Sequence, residues 1–278
     1  MAAMQVDPIA GALGAEVSGV DLGAELSDET IAAIRGALLD HGVIFFRDQD
    51  FDAEAHKRLA RRFGEIFVHP FFVPGDDPEV VNIVREPTDT SIVGQDWHAD
   101  TQMVAAPPLG AILYAVDVPD YGGDTLFANQ YLAYDALSDG MKRMLDGLMA
   151  VNSDKLVAGP ASGRSQNRTT KAREDTEYRE TVTLHPVVRT HPETGRKALF
   201  VNHSYTVGLE GMTEAESRPM LEWLMDWGHK PEFTCRFRWR SGSVAFWDNR
   251  CTKHIAVDDS HRVRRVMRRV QIAGDVPY

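Results

Sequence analysis

His98-Ala99-Asp100 is answered, 154 residues beyond its aspartate, by His254, with Arg265 eleven residues further on. Two imidazoles and one carboxylate are the ligand set of a facial triad, which fills one face of an octahedral metal and leaves the opposite face open. In an extended strand, side chains at i and i+2 share a face, so one strand supplies His98 and Asp100 with no special backbone. Using the triad then obliges the chain to return His254 to that strand from far along the sequence. An arginine a short strand beyond the second histidine can hold an acid against the open face. That combination points to a non-haem Fe(II) oxygenase with a 2-oxo acid as co-substrate.

Each piece alone has a plainer reading. A His-x-Asp tripeptide arises by chance in many chains, as a solvated pair at a strand end. His254 follows Trp247-Asp248-Asn249-Arg250-Cys251-Thr252-Lys253, an aromatic strand end running into a polar turn, which suits a ligand at a barrel rim. The chain has ten histidines. Of these, His41, His56, His191 and His261 read as exposed loop residues, and His185 and His229 as structural or exposed.

The run Arg262-Val263-Arg264-Arg265-Val266-Met267-Arg268-Arg269 looks at first like a basic patch. Strand periodicity sorts it differently: Arg265, Met267 and Arg269 share one face, and Arg264, Val266 and Arg268 share the other. If the first set faces the interior, two guanidiniums four residues apart enter the site, and their planar fork suits a carboxylate. One would take the distal carboxylate of the 2-oxo acid, and the other the substrate's anion. The plain alternative is a solvated basic edge strand. Gly122-Gly123-Asp124-Thr125 reads as a tight turn opening a strand, and the Thr125 hydroxyl could serve a carboxylate. Phe71 and Phe72, after His69-Pro70, read as core.

Composition narrows the setting. A chain of 278 residues, 43% hydrophobic, can bury a sizeable core, and no repeat or low-complexity linker divides it, so one domain is expected over 1–278. A net charge of -11 argues against general nucleic-acid binding. Cys235 and Cys251 cannot form a disulfide framework, and a reducing cytosol is the simplest setting. The first residues carry no secretory pattern, and no apolar stretch approaches the roughly 20 residues of a membrane span. A soluble cytoplasmic protein is expected.

Helix signals come early: Ser27 as N-cap, Ile31, Ile34 and Leu38 as an apolar stripe, and Gly42 as the stop. Residues 43–46 form a buried strand, and 52–63 a second helix. Strands are expected at 80–84, 97–103, 111–117 and 124–128, then a helix over 131–148. Residues 152–180 are polar and aperiodic, and a segment of that length suggests a lid. Residues 184–190 and 197–202 flank a hairpin turn, and Thr213 and Glu216 form a capping box for a helix through Trp227. Strands at 233–239, 243–248 and 262–272 complete a mainly β chain with peripheral helices, of the double-sheet jelly-roll kind.

Together these residues resemble the taurine dioxygenase family of Fe(II)/2-oxoglutarate-dependent dioxygenases, which includes taurine, alkylsulfate and phenoxyalkanoate dioxygenases. The resemblance runs through Gly14-Ala15-Glu16, Gly19-Val20-Asp21-Leu22, Arg62-Phe63-Gly64, Trp97-His98-Ala99-Asp100 and Pro107-Pro108. It continues through Gly122-Gly123-Asp124-Thr125, His185-Pro186-Val187-Val188, Thr190-His191-Pro192, Phe200-Val201-Asn202, Trp247-Asp248-Asn249-Arg250 and the stretch from His254 to Arg269. It implies a double-stranded β-helix of the cupin-like kind, with Fe(II), 2-oxoglutarate and O2 as the reacting partners. His98, Asp100 and His254 match iron ligands. Thr125 and Arg265 match the residues holding the 2-oxoglutarate C5 carboxylate. Arg269 and His69 match positions that contact the substrate's anion, and Tyr205 a substrate-contacting aromatic. A homodimer or homotetramer is implied in the same way.

Departures bear on the substrate. Where the taurine enzymes carry a Tyr and an Asn, this chain has Phe72 and Gly94. Residues 208–217, with Phe233-Thr234-Cys235-Arg236, read closer to the phenoxyalkanoate and alkylsulfate branches. A small organic anion with an apolar or aromatic body is therefore expected, with C–O or C–S cleavage where the hydroxylated carbon bears a leaving group. Other readings are a hydroxylase or demethylase of an amino acid or other metabolite, a zinc hydrolase, and a metal-binding jelly roll without turnover. A hydrolase has no need of a second acid site at Thr125 and Arg265.

Overall fold

The computed structural model describes residues 3–70, 77–162, 168–170, 178–260 and 263–278. Phe71, Phe72, His261, Arg262 and much of the 152–180 segment lie outside these. Fifteen strands are seen among the described residues: β1 (Gln5–Pro8), β2 (Ala15–Ser18), β3 (Val43–Phe46), β4 (Val81–Arg85), β5 (Gly110–Asp117), β6 (Thr125–Asn129), β7 (Met149–Ser153), β8 (Val182–Pro186), β9 (Val188–Thr190), β10 (Lys197–Leu199), β11 (Thr206–Leu209), β12 (Thr234–Phe237), β13 (Val244–Asp248), β14 (Thr252–Ala256) and β15 (Arg265–Ile272). The helices are α1 (Asp28–His41), α2 (Ala53–Arg61), α3 (Gln130–Asp135), α4 (Asp139–Leu145) and α5 (Glu214–Trp227).

A seven-stranded sheet in the order β1-β2-β3-β13-β5-β15-β4 faces a three-stranded sheet in the order β12-β6-β14. The reason is written in β3, whose four residues are all buried. Ile44 and Phe46 pack with Ile34, Leu38 and Leu59 of the helices behind the large sheet. Val43 and Phe45 point the other way, against Phe127 and Phe237 of the small sheet, and the Phe45 and Phe237 rings stack at 3.9 Å. A strand covered on both faces loses the polar alternation of a half-exposed one. The expected jelly roll is the observed fold. Two further sheets, β11-β7-β8 and β10-β9, lie outside this sandwich.

Helix α1 begins where expected, with Ser27 accepting from the Thr30 amide. It stops at Gly42, whose φ of 71° lets its N–H reach the Leu38 carbonyl. Other expectations need correction. The helix expected over 131–148 breaks into α3 and α4, because Ser138 caps a new helix by accepting from the Met141 amide. The strand expected over 97–103 reduces to one bridge at His98. His254, expected just after a polar turn, lies within β14, a strand the sequence reading did not include. Strands β1, β2, β7 and β11, short and weakly patterned, were not legible.

Candidate active site

Strand pairing delivers His254. β14 runs antiparallel to β6 with His254 opposite Phe127, and its imidazole packs on Trp247 at 4.6 Å between ring centroids. His98 joins it through a reciprocal pair: His98 N donates to the His254 carbonyl at 3.0 Å, and His254 N to the His98 carbonyl at 2.8 Å. That bridge sets the two rings 4.1 Å apart. The backbone then turns, with Thr101 at φ 51°, a left-handed conformation that costs a β-branched residue on the order of 1–3 kcal/mol. His98 and Asp100, two residues apart and just before this turn, reach one site, as strand alternation predicts.

Buried amides hold that turn. The Gln102 Nε2 donates to Asn152 Oδ1 at 3.1 Å and to the Phe200 carbonyl at 2.8 Å, while its Oε1 accepts from Asn202 at 2.6 Å. From the β13–β14 turn, Asn249 Oδ1 accepts the Asp100 amide at 3.2 Å and Trp247 Nε1 at 2.9 Å. Asn249 thus ties the carboxylate's backbone to the aromatic on which His254 rests. Sequence reasoning had quoted Asn249 only within a motif; its buried amide between an aromatic and a turn was the available signal.

The trio has open valences. His98 Nδ1 lies 2.7 Å from the Asp96 carbonyl; a carbonyl only accepts, so Nδ1 carries the proton and Nε2 keeps a lone pair. The Nε2 atoms of His98 and His254 lie 3.7 Å and 3.8 Å from Asp100 Oδ1. Burial pushes the Asp100 carboxyl up, but the Arg269 charge and the two histidines outweigh it and hold the group ionised. Burial, then His98, pushes His254 well below its usual range, leaving a neutral imidazole. Asp100 Oδ2 is buried without a hydrogen-bond partner, and one ligand atom from each residue lies within 4.8 Å of the others. Two imidazoles, one ionised carboxylate and an orphaned oxygen fit a divalent iron.

Two adjoining hollows meet at this trio and share His98, Arg168 and Arg269. The first is lined by Thr125, His254, Arg265, Met267 and Arg85. Thr125 Oγ1 accepts from Trp239 Nε1 at 2.9 Å, so its own proton remains for an anion. Arg265 Nη1 donates to the Gly123 carbonyl at 2.7 Å. That approach needs glycine, since a Cβ at Gly123 would lie 2.8 Å from the guanidinium nitrogen. Burial lowers Arg265 to about 10, which leaves it a cation at neutral pH.

The second hollow is lined by His69, Asp100, Tyr205 and Arg269 among the apolar side chains Met103, Val157 and Ala158. Arg269 donates from Nη1 to Asp100 Oδ1 at 3.1 Å, a contact that sequence periodicity did not foretell. Burial, with Arg269 beside it, lowers His69 to about 3, so the ring is neutral. All eight predicted site residues therefore line one connected cavity, and the alternation of Arg265, Met267 and Arg269 onto its face is as expected. Arg85 was missed, although Val81, Ile83 and Arg85 repeat that alternation.

Two histidines expected to be exposed are not. His56 is fully buried, with Nε2 3.1 Å from the Ile112 carbonyl. His191 is buried against Asp248 at 3.1 Å. His56 lies in α2, and His191 in the turn between β9 and β10.

Comparison with known proteins accords with this geometry. The taurine catabolism dioxygenase TauD, TfdA family matches residues 5–271. The alkylsulfatase of Acinetobacter baylyi is 36% identical over 98% of this chain and 86% of its own. The alpha-ketoglutarate-dependent sulfate ester dioxygenase of Pseudomonas putida is 36% identical over 99% and 91%. The crystal structure of a taurine dioxygenase from Burkholderia xenovorans superposes with a TM-score of 0.83 at 38% identity, covering 99% of this chain and 90% of that one. With the triad, the two hollows beside it and a family match across nearly its whole length, the chain belongs to the TauD/TfdA family and is an Fe(II)/2-oxoglutarate-dependent dioxygenase.

Proposed function

We propose that His98, Asp100 and His254 hold the iron, that Thr125 and Arg265 receive the C5 carboxylate of 2-oxoglutarate, and that the second hollow takes an alkyl sulfate ester. The observation that carries this is the placement of the triad between two hollows, the first lined by Thr125 and Arg265 and the second by His69, Tyr205 and Arg269. Bound iron with 2-oxoglutarate and O2 supplies the oxidation of a substrate C–H bond, yielding succinate and carbon dioxide.

The chain's residues do the positioning. Arg269 has five donors, enough to keep Asp100 and still donate to a sulfate oxygen, and His69 lines the same hollow. Met103, Val157 and Ala158 exclude water around the apolar body, which suits an alkyl chain better than a short zwitterion. A hydroxyl placed on the carbon next to the ester oxygen makes an adduct that collapses, breaking the C–O bond to give an aldehyde and inorganic sulfate. The whole chain acts as one catalytic domain. Two free, buried cysteines support a reducing, cytoplasmic setting. Among the described residues no helix is long and apolar enough to cross a membrane.

The test is succinate and sulfate release from a panel of medium-chain alkyl sulfates, phenoxypropionates and taurine. Equimolar sulfate and succinate from the alkyl sulfates is the expected result. Turnover of taurine alone would sink the substrate assignment and leave the site roles standing. Loss of the anaerobic visible charge-transfer band in His98→Ala and Arg265→Ala tests the roles themselves.

A further inference from the structure

Arg85 closes β4 and lies directly opposite Arg265 of β15 in the register of the large sheet, so both side chains leave on the cavity face. Like charges directly opposite each other destabilise a sheet, and removal from water strengthens the repulsion. Arg85 is only 8% exposed. The acids at hand are paired with arginines other than Arg265. Arg85 reaches Asp258 at 2.8 Å and Ser260 Oγ at 3.3 Å. Asp124 and Asp259, the acids near Arg265, are engaged by Arg236 at 2.6 Å and 3.1 Å. Arg265 itself donates to a neutral carbonyl, and the Nε atoms of Arg85 and Arg265 are buried with no acceptor. Two neighbouring guanidiniums with buried, unused Nε donors, lining one hollow, describe a site for an anion.

We propose that Arg85 is a second guanidinium of the co-substrate's carboxylate site, gripping the 2-oxoglutarate C5 carboxylate with Arg265 and Thr125, so that the co-substrate also relieves repulsion between β4 and β15. The proposal rests on the reading that this hollow takes 2-oxoglutarate. It carries two consequences. The protein selects dicarboxylic over monocarboxylic 2-oxo acids by two cations rather than one, and the ligand-free sheet holds an unfavourable pair that the ligand resolves.

The experiment measures dissociation constants under nitrogen, by tryptophan fluorescence of Fe(II)-loaded protein. 2-Oxoglutarate is compared with 2-oxovalerate, which has the same chain without the distal carboxylate. Thermal melts with and without each acid run alongside. In Arg85→Gln, 2-oxoglutarate affinity is expected to fall about 10- to 100-fold. The 2-oxovalerate affinity should stay constant, and the ligand-free melting temperature should be no lower than wild type. A lower ligand-free melting temperature with unchanged 2-oxoglutarate affinity would overturn the proposal and make Arg85 a structural partner of Asp258. If Arg85→Gln does not fold, Arg85→Lys serves: intermediate affinity supports the proposal, and wild-type affinity overturns it. A wild-type protein that does not prefer 2-oxoglutarate to 2-oxovalerate would instead undo the assignment of the hollow.

Discussion

Two buried groups among the described residues carry the makings of a metal site, His98–Asp100–His254 and His191–Asp248–Cys251. Only the first has valences to offer. In the second, His191 Nδ1 accepts the amides of Glu193 and Thr194, both at 3.2 Å. Its proton therefore sits on Nε2 and is donated to Asp248. Asp248 also takes two bonds from Arg250, at 2.9 Å and 2.6 Å, and Arg250 continues to Glu193 at 2.7 Å. Burial pushes the Cys251 thiol well above its usual range, so it stays protonated. The same residue types thus make a saturated staple in one place and a ligand site in the other. Satisfaction of lone pairs, more than composition, separates them. The staple still serves the site, because it pins the β9–β10 hairpin to the β13–β14 turn that presents Asn249 and His254.

The largest effect should fall on the first group. His254→Ala is expected to abolish stoichiometric iron binding and cut succinate release roughly a thousandfold or more. Metal analysis of the folded variant checks it, and a full complement of iron there would break the comparison. Next comes the staple. Asp248→Asn weakens the buried bonds from Arg250, which keeps Glu193, and should cost about 1.5–3 kcal/mol in urea unfolding, with iron retained by the folded fraction. Loss of iron with unchanged stability would reverse the two assignments.

Asn249→Ala sharpens the boundary between them. It removes the acceptor shared by the Asp100 amide and Trp247, so metal affinity should drop about 10- to 100-fold in competition with a chelator. His56 gives the smallest effect. Its ring is saturated by the Ile112 carbonyl and by Arg268 Nε at 3.3 Å, and burial, with Arg268, lowers it to about 3. A histidine depressed in the folded state takes up its proton first in the unfolded chain. Its stabilising contribution is therefore complete above pH 6.5 and lost as pH falls from there toward 3. Between pH 7 and 5.5 the loss should be roughly 1 kcal/mol. Urea midpoints at the two pH values should differ less in His56→Gln; an equal difference would show that other groups carry the pH dependence.

The comparison also shows why some features were legible and others were not. Arg265, Met267 and Arg269 sort onto the cavity face because strand periodicity is local geometry. Ser27, Gly42, Thr213 and Glu216 announce helix ends because capping is satisfied within a few residues. The isolated bridge between His98 and His254 leaves no periodic trace, and the turn at Thr101 ends the strand expected to run on to Met103. His56 and His191 looked exposed because their burying partners, Ile112 and Asp248, lie more than fifty residues away.

Local rules in the sequence determined the ligand types, the alternation of the arginine strand, the mainly β character and, through the order of its motifs, the family. Tertiary structure alone decided which of two His–Asp groups is saturated and that Arg85 confronts Arg265 across a strand pair. It also decided that Arg269 rests on Asp100 and that Asn249 ties that carboxylate's backbone to the His254 platform. These are matters of long-range pairing, where a polar atom's partner is set by strand register and burial, and no window along the chain contains both partners.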